Sequence, residues 1–208
     1  MFFSSLVKHV DSKQKSRREK GGLYCVATLQ PNLHGIDKDD EFFTRQEKEG
    51  QIQRYYRQRK RIPLCVDHCD AEVWNFVVKE RDRIGYVLDL FIGRENAMVV
   101  KFRLDPKHAA YAQIYNGMVH RKEAWGVSVW IERLEDPLTG QVTKELTHVA
   151  LTTTPRFAKY GTYMHRYALT EDKINNIIAR EFYFPGQAHC YASREFQTKL
   201  QGAASPRI

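Results

Sequence analysis

The stretch "WGVSVWIERLEDPLTGQVTKELTHVALTTT", residues 125–154, decides how the rest of the chain is read. Its opening run, WGVSVWIERL, alternates with a period of two. Successive side chains of a strand point to opposite faces, so Val127 and Val129 share one face while Gly126, Ser128 and Trp130 share the other. EDPLTGQ has turn composition. TKELTHVALTTT then returns as a second strand, and the two runs make an antiparallel hairpin. With the turn centred near Leu138–Thr139, facing residues have numbers totalling about 277. His148 then lies opposite about Val129, adjacent to Ser128, and one residue of bulge is enough to pair ring and hydroxyl directly.

Outward from this hairpin, most of the chain also reads as short strands. GGLYCVATL (21–29) is one, with glycines followed by aromatic and β-branched residues. RIPLCVDH (61–68) is a second, EVWNFVVKE (72–80) a third and YVLDLFIG (86–93) a fourth. The RDRIG between the last two reads as a hairpin turn, with Gly85 supplying the unusual backbone angle. NAMVVKFRL (96–104) follows, and KYGTYMHRYAL (159–169) supplies a late strand. Helical periodicity runs over 41–59, with Phe42, Phe43, Ile52, Tyr55 and Tyr56 as its apolar set and Gly50 weakening its middle. Asp105 caps a second helix that starts at Pro106 and stops at Gly117. Thr170 caps a third, EDKINNIIAREFYF, with Glu171 and Asp172 in the first turn, and Pro185-Gly186 ends it. About seven strands, two to four helices and mostly antiparallel hairpins predict an α+β domain, a closed or sandwich-like sheet with helices outside.

The 208 residues allow one domain with tails. The expected division is a basic flexible arm over 1–20, a main folded domain over 21–185 and a polar C-terminal tail over 186–208. A hydrophobic fraction of 42% and an aromatic fraction of 12% are globular values. No apolar run is long enough to cross a bilayer as a helix. The N-terminal MFFSSLVKHV lacks a basic start and makes a poor signal peptide. Four cysteines in a chain of this length give no disulfide framework, so a reducing compartment is expected.

Net charge is +8. It gathers in KQKSRREK (13–20) and RYYRQRKR (54–61). The first has the composition of a nuclear localisation signal. The second interleaves Tyr55 and Tyr56 with arginines, which suits stacking on a nucleic-acid single strand and equally suits an amphipathic helix with a solvated basic face. Cys65, His68 and Cys69 make a C-x-x-H-C group. Adjacent strand residues face opposite ways, and only Cys25 or Cys190 remains to complete a tetrahedron, so no metal site is expected.

Two histidines stand in apolar strand contexts, His68 and His148, with Ser128 between them in sequence. A serine nucleophile needs a base, and the base needs a third group to fix its tautomer. With IPLCVDHCDAEV, WGVSVW and HVALTTTPRF…YGT in view, the chain resembles the herpesvirus capsid maturation proteases, the assemblins, and the related prohead proteases of tailed bacteriophages. The resemblance runs in the same order and with similar spacing over about residues 21–162. Ile62-Pro63-Leu64 through His68 and Asp70 matches the segment of the first histidine. Gly126-Val127-Ser128-Val129 matches the strand of the serine, and His148-Val149-Ala150-Leu151 matches the second histidine. GGLYCVATL resembles the opening strand.

The resemblance implies a mostly antiparallel, roughly seven-stranded closed β-barrel with helices packed outside. It implies a His-Ser-His serine endopeptidase with catalytic Ser128, His68 and His148. The oxyanion loop falls at Arg156 and Phe157. Phe157 stands where the family places a second arginine, yet both residues keep their backbone N–H, and Lys159 offers a positive charge nearby. Cleavage after alanine is implied, with Ala204–Ser205 and Ala192–Ser193 as candidate self-cleavage points. A capsid scaffold protein is the implied substrate, and a homodimer associating through TEDKINNIIAREFYF is the implied assembly. No cofactor and no membrane partner are implied. The implied setting is an assembling capsid in the host nucleus or cytoplasm. The alternative is a basic nucleic-acid-binding domain without catalytic activity, which would show steep salt dependence and indifference to Ser128→Ala.

Overall fold

A computed structural model describes residues 22–30, 43–58, 61–67, 78–154 and 164–182. Their strands are β1 (Leu23–Gln30), β2 (Pro63–Val66), β3 (Gly85–Ile92), β4 (Met98–Leu104), β5 (Gly126–Glu135), β6 (Val142–Thr152) and β7 (Met164–Ala168). The helices are α1 (Arg45–Gln58), α2 (Tyr111–Asn116) and α3 (Glu171–Glu181). All seven strands join one sheet in the order β5-β6-β2-β3-β4-β1-β7. Every pairing is antiparallel except β2 on β6, which is parallel. The class is therefore α+β.

Alternation along the strands builds two apolar layers. Leu23, Cys25, Leu64, Val100, Phe102, Val127, Val149 and Leu151 point into the main core. On the reverse of β1, β3 and β4, Val26, Phe91 and Val99 meet Ile174, Ile177 and Ile178 of α3. Each fully buried isoleucine contributes about 2 kcal/mol of apolar burial. Thr170 caps α3 as expected, its hydroxyl accepting from the Lys173 N–H at 3.4 Å. The helix ends at Glu181, earlier than the sequence pattern suggested.

The expected barrel closure is not present as a ladder among the described residues: β5 and β7 are the two ends. The sheet does curl, bringing Cα atoms of β5 within 8 Å of β1 without hydrogen-bonded pairing. Two local expectations also change, those for Gly85 and for the second helix. Gly85 is no turn residue. It lies in β3 between Leu64 and Leu104 and has no positive φ. A Cβ there would meet the Arg103 carbonyl oxygen at 2.1 Å, so the close strand approach is what requires glycine. The expected strand over 72–80 lies largely outside the described residues, and its end joins a 3-10 turn at Glu80–Asp82. The second helix begins at Tyr111, not Pro106. Gly117 does not stop it: the chain continues into a π-helical turn to Arg121 and ends at Lys122, φ 59°.

Candidate active site

The site is set by the β5–β6 register. Near the turn, pairs run from Glu135–Val142 to Ile131–Leu146, as the sequence arithmetic predicts. The register then shifts between Trp130 and Ile131, leaving Thr147 as an extra residue on β6. Beyond it Trp130 faces His148, Val129 faces Val149 and Ser128 faces Ala150. His148 is therefore opposite Trp130, not Val129, and the bulge does not pair it directly with Ser128.

What the bulge does is turn the ring over. Under the unshifted register His148 would accompany Val129 into the main core. Val149 and Leu151 occupy that side instead. His148 is carried to the reverse face, the face of Ser128, where the two stand diagonally across neighbouring strands. Diagonal neighbours have Cβ atoms about 7–8 Å apart or somewhat less. Both are buried, with exposures of 1% for His148 and 6% for Ser128. Leu146 and Val149 both turn core-ward although three positions apart, a break in the two-residue period. That spacing is the sequence signal from which the bulge was readable.

The surroundings of this face are defined. Cys65 on β2 is level with Ala150, and Ala150 is level with Ser128, so one row crosses three strands. Cys65, Ala150 and Val78 form a small apolar cluster, and the Cys65 thiol lies 3.9 Å from the Val149 carbonyl. Cys25 belongs to the main core instead. Burial pushes its thiol pKa well up. The two cysteines thus sit in different layers and do not come together as ligands. Among the described residues no His, Cys, Asp or Glu cluster is arranged to hold a metal.

Two further side chains support His148. The Trp130 indole stacks on its ring, with centroids 6.1 Å apart and planes 6° from parallel. Trp130 is itself 37% exposed and so covers the imidazole from solvent. The Thr147 hydroxyl donates to the Trp130 carbonyl at 3.2 Å and stands 3.5 Å from Nδ1 of His148. At the other side of the row, Asp67 follows β2 in a left-handed conformation, φ 48°, which is uncommon outside glycine. Its N–H donates to the Leu151 carbonyl at 2.9 Å, carrying the β2–β6 ladder one residue further before the chain turns. Thr147, Trp130 in this supporting role and Asp67 were not identified from the sequence.

His68 lies outside the described residues, as do Arg156, Phe157 and Lys159, both alanine–serine pairs (Ala192–Ser193 and Ala204–Ser205), Cys69, Cys190, the basic arm and the tail. Of Ser128, His68 and His148, the structure thus places Ser128 and His148 on one face. β6 ends at Thr152, and the described residues continue to Thr154, whose N–H donates to the Thr152 hydroxyl at 3.1 Å.

Two other expectations meet the structure here. Tyr55 and Tyr56 are turned inward from the basic stretch: Tyr55 donates to the Val87 carbonyl at 3.0 Å and Tyr56 to Asp89 Oδ1 at 3.5 Å. Their rings pack edge to face against each other and on the core. Burial, with the Asp89 carboxylate beside it, raises the Tyr55 phenol pKa. The described part of that stretch, Arg54–Gln58, is helical, with both tyrosines on its inner side. Helix α3 spends its isoleucines on its own sheet, and the residues it leaves exposed are charged: Asp172, Lys173, Arg180 and Glu181.

No family model matches the sequence, and no curated protein matches it. Among solved structures the chain is similar to the protease of Kaposi's sarcoma-associated herpesvirus. In complex with a hexapeptide phosphonate inhibitor that protease overlaps with a TM-score of 0.48 at 13% identity, covering 90% of this chain and 78% of that one. The complex with allosteric inhibitor compound 250 gives 0.47 at 13%, covering 90% and 93%. A complex with a dimer disruptor gives 0.43 at 13%, covering 90% and 92%. At these scores the likeness carries no argument about activity.

Proposed function

We propose that the chain is a serine endopeptidase of the His-Ser-His type, with Ser128 as nucleophile, His68 as general base and His148 as the residue that orients His68. The observation that carries this reading is the bulge at Thr147, which takes a histidine out of the main core and lays it, buried, on the face of a buried serine one strand away. The sequence motifs around His68, Ser128 and His148, which occur in the same order as in the assemblins, support it.

In this mechanism Ser128 Oγ attacks a peptide carbonyl while His68 takes its proton. Backbone N–H groups at Arg156 and Phe157 receive the oxyanion. The leaving amine takes the proton back from His68, and water then attacks the acyl-enzyme to release the acid and restore the serine. A neutral histidine as third member stabilises the imidazolium less than a carboxylate does, so turnover is slow. The same proposal takes a capsid scaffold protein as substrate, cut after alanine during assembly, with Ala204–Ser205 and Ala192–Ser193 as self-cleavage points. It includes a homodimer, a barrel closed in the assemblin manner and a location within assembling capsids.

A peptidyl phosphonate incubated with the purified protein is expected to add covalently to Ser128, located by mass spectrometry of the digest. His68→Ala is expected to abolish both the adduct and cleavage of a scaffold-like peptide containing an Ala-Ser bond, and Ser128→Ala to do the same. No adduct and no cleavage by wild-type protein at high salt overturns the proposal. Salt-sensitive nucleic-acid binding that survives Ser128→Ala in protein without protease activity establishes the alternative.

A further inference from the structure

We infer that Thr147 is a positioning residue that fixes the tautomer of His148, holding the ring proton on Nδ1 and leaving Nε2 as the nitrogen that accepts. The assignment follows from counting hydrogens. A threonine hydroxyl has one proton to give and two lone pairs. The Trp130 carbonyl oxygen, 3.2 Å from the hydroxyl, has only lone pairs, so that contact consumes the Thr147 proton. Toward Nδ1 of His148, at 3.5 Å, the hydroxyl can then only accept, and Nδ1 must carry the hydrogen.

The bulge is what makes this possible. A regular strand would put Thr147 and His148 on opposite faces. Here both stand against the same residue of β5, Trp130, whose carbonyl anchors the hydroxyl and whose indole stacks on the imidazole. Threonine is suited to the position because its β-branch restricts χ1. Ser128 of β5 shares this face of the sheet, and Cys65 of β2 lies in the next row, level with Ala150.

The consequence rests on the proposed triad. A third-member histidine serves there by accepting the N–H of the base, and one that presented its own N–H would set donor against donor. Thr147 would thus act on catalysis through His148 without touching substrate.

The test is ring ¹⁵N NMR of His148, assigned by difference with His148→Gln, in wild-type protein, Thr147→Val and Thr147→Ser, at a pH where the ring is neutral. The wild type is expected to show a protonated Nδ1 and a bare Nε2. Valine keeps the shape and removes the hydroxyl, and should shift the proton wholly or partly to Nε2. Serine keeps the hydroxyl and should restore the wild-type pattern. Peptide cleavage should follow, with kcat at least about tenfold lower in Thr147→Val at unchanged KM and recovered in Thr147→Ser. A wild-type ring protonated on Nε2, or a Thr147→Val ring still protonated on Nδ1, overturns the inference. Failure of the wild type to cleave overturns the protease reading instead, because the NMR pattern decides the tautomer without any turnover.

Discussion

Lys101 has no exposed surface and lies in the layer between sheet and α3. It is held there by Asp89 Oδ2 at 3.1 Å and Glu171 Oε1 at 2.7 Å. The partners are unequal, since Asp89 is 14% exposed and Glu171 42%. Removing one member of a buried pair costs more than the pair contributes, because the other charge stays desolvated. Lys101→Met is therefore expected to lower stability by about 3 kcal/mol in urea unfolding. Glu171→Gln, at the wet end of the triplet, should cost less than about 1 kcal/mol. Equal losses would show that Glu171, not Asp89, carries the interaction. At this scale the sequence was only partly legible. Alternation alone correctly put Val127 and Val129 on one face and Ser128 on the other. It did not assign His148, because one inserted residue reverses the face of everything beyond it, and that insertion shows only as the three-residue spacing from Leu146 to Val149.

At the scale of elements, α1 completes the sheet where a strand runs out. The β2 pairing covers β6 at Val149–Leu151, and among the described residues no strand pairs with its backbone nearer the turn on that side. Gln51 fills the gap, its amide nitrogen donating to the Lys144 carbonyl and its oxygen accepting from the Leu146 N–H at 3.2 Å. Gln51→Leu should leave the Leu146 N–H buried without its side-chain acceptor, while Arg54 Nη2 still donates to the Lys144 carbonyl at 3.1 Å, lowering stability by about 2 kcal/mol. Faster hydrogen exchange at the Leu146 amide would accompany it, and an unchanged amide would show that α1 does not hold β6. One turn earlier, Lys48 donates to the Asn96 carbonyl at 3.2 Å, and burial pushes its pKa down to about 8 from 10.5. Between those values the unfolded chain binds the proton and the folded chain does not, so this group makes stability rise with pH over that window. The stability of wild type relative to Lys48→Met should accordingly increase from pH 8 to pH 10 in urea melts, and a flat difference would contradict it. The helix itself was legible from its apolar spacing. Its service to β6 was not, since a glutamine paired with a distant strand looks like any surface glutamine in sequence.

At the scale of the molecule, the β5–β6 hairpin has two parts with different dependence on the fold. Its base, from Gly126 to Ser128 and from Leu146 to Thr152, is held in the curled sheet apart from partly exposed Thr147. Its outer part leaves the domain: Leu134, Leu138 and Val142 are 42%, 93% and 52% exposed, and only Lys144 near its root is buried, paired with Glu47 of α1 at 3.4 Å. The tip is ordered by its own turn. Asp136 accepts from the N–H groups of Leu138 at 2.8 Å and Thr139 at 3.3 Å, which holds its carboxyl below the usual range, and Gly140 adopts φ 67° to close the loop. The sequence marked this turn and hairpin correctly because turn chemistry is local. Whether the sheet closes is not local, and among the described residues no ladder joins β5 to β7. An isolated ribbon of two strands is marginally stable at best, so the outer part contributes little to folding. Replacing residues 134–143 with Asn-Gly would join Arg133 to Lys144, which already face each other, through a two-residue turn suited to a hairpin. The shortened protein is expected to unfold in urea within about 0.5 kcal/mol of wild type, and to keep the phosphonate adduct at Ser128. A loss above about 2 kcal/mol would show that the register at Ser128 and His148 depends on the outer ribbon. It would then have to be set from the turn inward, not from the core outward.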